Sequence, residues 1–115
     1  MTLAEMVARW LVAFGITQLV ECTLYVLVFR ISLRDAFLAS VITHPFVTLA
    51  TLAAPAGTWF IVVGVLAEIF AMVVEAIWIH RRAHAPLQRA LLVSVITNLS
   101  SCAAGGLVYL ATGWP

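Results

Sequence analysis

The sequence predicts an all-α integral membrane protein, its four transmembrane helices arranged as two tandem repeated hairpins. Three observations predict it. The 115 residues are 64% hydrophobic and 10% charged, and their mean hydropathy is +1.13. A soluble domain is roughly 45–50% apolar and about 25% charged. Four separate apolar runs approach the roughly 20 residues that cross a bilayer's hydrocarbon core. Finally, the second half of the chain repeats the first at a fixed offset of 54 residues.

Composition also excludes whole classes of function. A soluble fold this small keeps too much of its surface wet to hide so much apolar area. A soluble globular enzyme and a disordered chain are therefore excluded. Net charge is +1, with six Arg and no Lys. No basic face exists for nucleic acid, and the expected surroundings are the lipid bilayer. The two cysteines, Cys22 and Cys102, sit inside apolar runs and read as small buried hydrophobes rather than a disulfide.

The first span is predicted from about Val7 to Phe29, preceded by Glu5 and Arg9. It has no basic leader before it and no small-residue cleavage site after it, so it reads as a retained span. The second runs from about Ala36 to Ala53, the third from about Thr58 to Ile79 and the fourth from about Ala90 to Thr112. Helices are required because lipid offers backbone groups no partners. Repeat 1 thus covers about 7–53 and repeat 2 about 58–112, in a single four-helix domain over 1–115.

The connections set orientation. Arg30–Asp35 and Arg81–Arg89 must share one side and hold Arg30, Arg34, Arg81, Arg82 and Arg89. The other side holds Arg9 and the Pro55-Ala56-Gly57 turn. The positive-inside rule puts the arginine-rich side in the cytoplasm and both termini outside, in a multi-pass cell-membrane protein. Trp10, Trp59 and Trp114 then fall near the outer interface and Trp78 near the inner one.

The repeat is ungapped from Val20 to Asn98. Ser40-Val41-Ile42-Thr43 returns as Ser94-Val95-Ile96-Thr97, Glu21 pairs with Glu75, and His44 pairs with Asn98. It maps span one onto three and two onto four, pairs that run in the same direction. The implied pseudo-two-fold axis lies along the membrane normal. With only two hairpins, a complete pathway calls for a homo-oligomer or a membrane-complex partner.

The polar residues at depth are the informative ones. Glu21, His44 and Asn98 each lie eight residues from the arginine-rich end of their spans, about 12 Å at 1.5 Å per residue. Glu75 shares that layer by repeat. Thr43, Thr97, Ser40, Ser94 and Ser101 are expected to support it, and Glu68 lies further outward. An ionised acid at mid-span costs about 2.5–3.5 kcal/mol even on the lenient insertion scale. The only candidate base at this depth is His44. The acids must therefore hold protons or be neutralised by a bound cation.

These residues point to ion or proton handling, with Glu21, Glu75, Glu68, His44 and Asn98 as the binding set. A divalent metal is the second form of the same reading, with Glu21, Glu75 and His44 as O, O and N ligands. Two other classes stay open. One is an accessory or assembly subunit of a larger membrane complex. The other is a membrane-embedded enzyme with Glu21 or Glu75 as base and His44 as partner, for which no nucleophile stands out.

Four local features complete the reading. Pro45 is expected to kink span two by clashing with the Val41 carbonyl. Ser101 with Gly105, and Cys102 with Gly106, give small residues at spacing four for close helix packing. Tyr25 is expected to anchor at the interface, and His80 and His84 to form a solvated pair. The Asn98-Leu99-Ser100 sequon lies too deep to be used.

Overall fold

The computed structural model describes residues 2–114. Four α-helices follow in order: α1 Leu3–Thr23, α2 Leu33–Ala53, α3 Thr58–Ala83 and α4 Leu87–Thr112. All four helical segments are long and apolar enough to cross a membrane. The molecule measures 43 × 25 × 22 Å. Its long axis matches the roughly 40–45 Å of a bilayer with its headgroups.

The sequence explains where each helix starts and stops. Thr2 caps α1 by accepting from the Glu5 N–H at 3.2 Å, while the Glu5 carboxylate accepts from the Thr2 N–H at 2.6 Å. This reciprocal capping satisfies two of the N–H groups that a helix start orphans. Ser32 caps α2 through the Asp35 N–H at 3.1 Å. α3 begins after Gly57, whose φ of 88° and ψ of −145° belong to glycine alone. α4 starts after Pro86 and ends on left-handed Gly113, whose N–H reaches the Tyr109 carbonyl at 2.7 Å. The caps lie outside the apolar runs, so α1, α2 and α4 start three to four residues before the predicted spans.

α1 does not end as a plain α-helix. Leu24–Val28 forms a π-helical turn, with the Phe29 N–H donating to the Leu24 carbonyl at 3.1 Å. A π-turn accommodates an extra residue and rotates the side chains beyond it. Tyr25, expected at the interface, is instead fully buried at 0% exposure.

The helices form a four-cornered bundle. Neighbours in the chain pack side by side, and α1 closes the ring against α4. α1 and α3 stand on one diagonal, α2 and α4 on the other. The Phe29–Ser32 and His84–Pro86 connections share one end, where Arg82 bonds Asp35 at 3.3 Å and the Trp78 ring N–H donates to the Asp35 carbonyl at 3.1 Å. At the opposite end Arg9 lies 5.7 Å over the Trp114 ring. The five arginines of the two connections thus gather at one end, and the chain ends lie at the other.

Burial is inverted relative to a soluble bundle. Large apolar side chains cover the outside: Leu110 is 80% exposed, Leu3 76% and Leu19 72%. The single buried residue of α1 is Glu21. An apolar cluster of Tyr25, Ile31, Ala36, Ile79, Ala90 and Val93 fills the bundle toward the arginine-rich end. Beyond it, toward the chain ends, the interior is polar.

Candidate functional site

Glu21 and Glu75, 54 residues apart, come from diagonally opposite helices and meet inside the bundle. Glu21 of α1 is 2% exposed and Glu75 of α3 is 1% exposed. Each accepts hydrogen bonds from both helices of the other diagonal. Glu21 accepts from Ser40 on α2 and from Ser101 on α4, the latter at 2.7 Å. Glu75 accepts from Thr43 on α2 at 2.7 Å and from the Asn98 amide on α4 at 2.7 Å. Its third donor is the Tyr25 hydroxyl at 2.8 Å. Tyr25 therefore serves Glu75 across the bundle, not Glu21 on its own helix. Four residues beyond Glu21, the ring shares that residue's inward helix face.

The remaining predicted supports divide. Ser94 is buried and donates to the Met72 carbonyl at 2.8 Å, and the Ser94 carbonyl accepts from the Asn98 amide at 3.0 Å. That carbonyl can only accept, which fixes the Asn98 side-chain nitrogen toward Glu75. Thr97 is fully buried, yet its hydroxyl has no hydrogen-bond partner. By the 54-residue offset it is the counterpart of Thr43.

Glu21 and Glu75 form the floor of a cavity of about 280 Å³. Its wall includes Ser40, Thr43, His44, Glu68, Asn98 and Ser101. A water molecule's share of liquid volume is about 30 Å³, so the space holds several waters or a small solute. Small side chains make that room: Ala13, Ala71, Gly105 and Gly106 all line it. A Cβ added at Gly105 or Gly106 would meet nothing within 4 Å. The predicted close helix packing at these glycines is thus absent within the chain; their missing side chains leave the cavity open.

Glu68 and His44 sit on the wall rather than in the hydrogen-bonded core. Glu68 is half-buried beside the Cys102 thiol, at the boundary with an apolar groove. The His44 ring lies against Phe14 at 5.1 Å and Trp10 at 5.9 Å between centroids, and its buried Nε2 has no partner. The expected metal set of Glu21, Glu75 and His44 is not assembled. Among the described residues, no group of three or more His, Cys, Asp or Glu could hold a metal ion. The physical reason is local: hydroxyl and amide donors engage both carboxylates, and aromatic contacts hold the imidazole. His80 and His84 are both exposed, as a solvated pair would be. His84 ends α3 in the left-handed conformation, φ 52°, while His80 bonds the Ala85 carbonyl at 2.6 Å. Pro45 is accommodated within the continuous helix α2.

Tyr25 gives the network its simplest test. Tyr25→Phe removes one buried hydrogen bond to a carboxylate and keeps the ring. A hydrogen bond to a charged group contributes about 1.5–3 kcal/mol and a neutral one about 1 kcal/mol. Thermal unfolding in detergent should show a loss of at least about 1 kcal/mol. No loss would mean that the Tyr25–Glu75 contact contributes nothing net.

Fold and site together define an all-helical protein of four helices, each apolar and long enough to span a membrane, around an interior acidic cavity. No family model, curated protein or solved structure matches the chain.

Proposed function

We propose that this chain is a multi-pass cell-membrane protein that binds and passes a cation, the proton first, at Glu21 and Glu75. One observation carries the reading. Each acid is hydrogen-bonded by a hydroxyl that has a second acceptor within reach. Thr43, which donates to Glu75, also lies 3.3 Å from the Ala39 carbonyl and 3.4 Å from the Ser40 carbonyl. Ser101, which donates to Glu21, lies 3.0 Å from the Asn98 carbonyl. A hydroxyl both donates and accepts. When the acid is charged, the hydroxyl donates to it. When the acid carries a proton, that proton points at the hydroxyl, which turns its own hydrogen to the carbonyl. Both protonation states are satisfied without moving the backbone.

The charge balance supports the same reading. Among the described residues, the one ion pair between side chains is Arg82–Asp35, and none involves Glu21, Glu68 or Glu75. An unpaired charge at mid-membrane costs several kcal/mol, so a mobile positive charge must neutralise the layer. A built-in Arg would have locked it; here the neutralising ion comes and goes.

Orientation and duplication belong to this proposal. The five arginines at the connection end support a cytoplasmic position for that end, with the chain ends outside. The arrangement of the bundle supports a duplicated hairpin, because α1 and α3, and α2 and α4, occupy opposite corners as a pseudo-two-fold along the bundle axis requires. The exposed apolar face of α1 is available to lipid or a second copy.

The test is proton flux into liposomes that enclose a pH-sensitive dye. The intact protein should dissipate an imposed proton gradient at least tenfold faster than the double variant Glu21→Gln/Glu75→Gln. Equal rates in both proteins would overturn proton passage at this layer.

A further inference from the structure

We propose that the acidic cavity is entered from the end carrying the chain ends, through a second cavity, with the His44 ring as the movable wall between the two. The second cavity has about 390 Å³ and is lined by Met6, Arg9, Trp10, Thr48, Thr51 and Leu52 on the outer halves of α1 and α2. Ala13, His44 and Val47 line both spaces. Of these three, His44 has the largest side chain and the most rotational freedom.

How the ring is held makes it movable. Its Nε2 is buried and lacks a hydrogen-bond partner. It is retained by tilted contacts with Trp10 and Phe14, which are themselves stacked at 5.3 Å and 4°. Aromatic contacts of this kind are individually weak. The frame around the ring is firmer, because the Trp10 ring N–H donates to Thr48 at 3.0 Å and ties α1 to α2. A fixed frame around a weakly held ring is the construction of a gate.

The opposite end is shut. Tyr25, Ile31, Ile79 and Val93 are each 7% exposed or less and pack together between the acids and the arginine-rich connections. The cavity extends away from this plug. Gly106 and Ala13 lie eight residues outward of Asn98 and Glu21, about 12 Å along the axis. The inference rests on the proposed cation site only for what passes the gate; the route itself is a property of the packing.

Thiol accessibility tests the route without measuring transport. In a Cys22→Ala/Cys102→Ala background, Thr17→Cys places one thiol on the cavity wall. A small cationic methanethiosulfonate is applied to each face of oriented vesicles, with Arg81→Cys marking the arginine-rich face. Reaction at position 17 should be at least tenfold faster from the face opposite the Arg81→Cys marker. Adding His44→Trp should slow it at least tenfold, and adding His44→Ala should speed it. Leu52→Trp, which fills the outer cavity without touching the ring, should slow it as well. Equal rates from both faces, no reaction, or rates indifferent to positions 44 and 52 would overturn the route; the last result would move entry to the lateral groove beside Glu68 and Cys102. Flux sensitive to Glu21→Gln with a failed labelling pattern counts against the route alone. The expected labelling with no flux counts against the cation reading alone.

Discussion

Glu75→Ala should strongly destabilise the bundle, whereas Glu75→Gln should leave it intact. Glu75 is the one residue that accepts from three donors on three segments: Tyr25 at the end of the first span, Thr43 on α2 and Asn98 on α4. Alanine leaves all three facing a void. Thr43 and Asn98 have fallback acceptors in the Ala39 and Ser94 carbonyls. The Tyr25 hydroxyl has no second hydrogen bond, and it is fully buried. A stranded buried donor costs about 1–3 kcal/mol, and the lost side chain leaves a cavity besides. A loss of about 3 kcal/mol or more is expected, against total stabilities of about 5–15 kcal/mol. Glutamine keeps every bond: its oxygen accepts from Tyr25 and Asn98, and its amide donates to the Thr43 hydroxyl. Thermal unfolding in detergent should therefore separate the two variants by about 3 kcal/mol or more. Equal stability would mean that the buried network does not hold the helices together.

The difference between these variants shows why part of the site was legible in the sequence and part was not. The depth of Glu21, Glu75, His44 and Asn98 follows from counting residues at a fixed rise, because a membrane fixes where each span must begin and end. That logic placed the two acids, Asn98 and Thr43 at one level, with Ser40 nearer the arginine-rich end and Ser101 nearer Glu68; the structure brings Ser40 and Ser101 into contact with Glu21 as well. Counting gives height but not azimuth. It could not tell that His44 turns toward Trp10 and Phe14 while its repeat partner Asn98 turns to Glu75. In spans apolar on every side, no amphipathic stripe marks the inward face. Tyr25 was open to a second reading, since it lies one turn after Glu21 on the same helix face, but spacing alone could not tell that its hydroxyl crosses the bundle to Glu75. The Gly105–Gly106 pair was visible but ambiguous, since a missing side chain serves close packing and an open cavity equally well. Only the neighbours decide, and here none comes within 4 Å.

The two halves of the site are alike in sequence and unlike in bonding. Thr43 on α2 reaches Glu75, but its counterpart Thr97 on α4 reaches nothing. Glu21 instead takes Ser101, whose counterpart is Val47. Glu75 is held by three donors, one of them a fixed amide, and Glu21 by two hydroxyls, of which Ser101 has the Asn98 carbonyl as a second acceptor. On the proposed proton reading, structure and exchange divide between the acids: Glu75, with three donors, is the anchor, and Glu21, with fewer bonds to break, is the group expected to take up and release the proton.

That division yields the second large effect. Glu21→Gln should keep the fold within about 1 kcal/mol, because the Ser40 and Ser101 hydroxyls can accept from an amide as readily as they donate to a carboxylate. Proton flux in liposomes should nevertheless fall at least tenfold, since an amide cannot exchange a proton in this range. Ser101→Ala should act between the two. It removes the hydroxyl that has the Asn98 carbonyl as its second acceptor, 3.0 Å away, while leaving the carboxyl and Ser40 in place. Flux is expected to drop severalfold with little change in unfolding temperature. If instead Glu21→Gln lowered stability as much as Glu75→Ala and left the flux of the surviving folded protein unchanged, the buried acids would be packing elements. Proton passage at this layer would then have to be abandoned. The two measurements must be made on the same preparation, because a packing role and a carrier role predict opposite rankings: stability first in one case, flux first in the other.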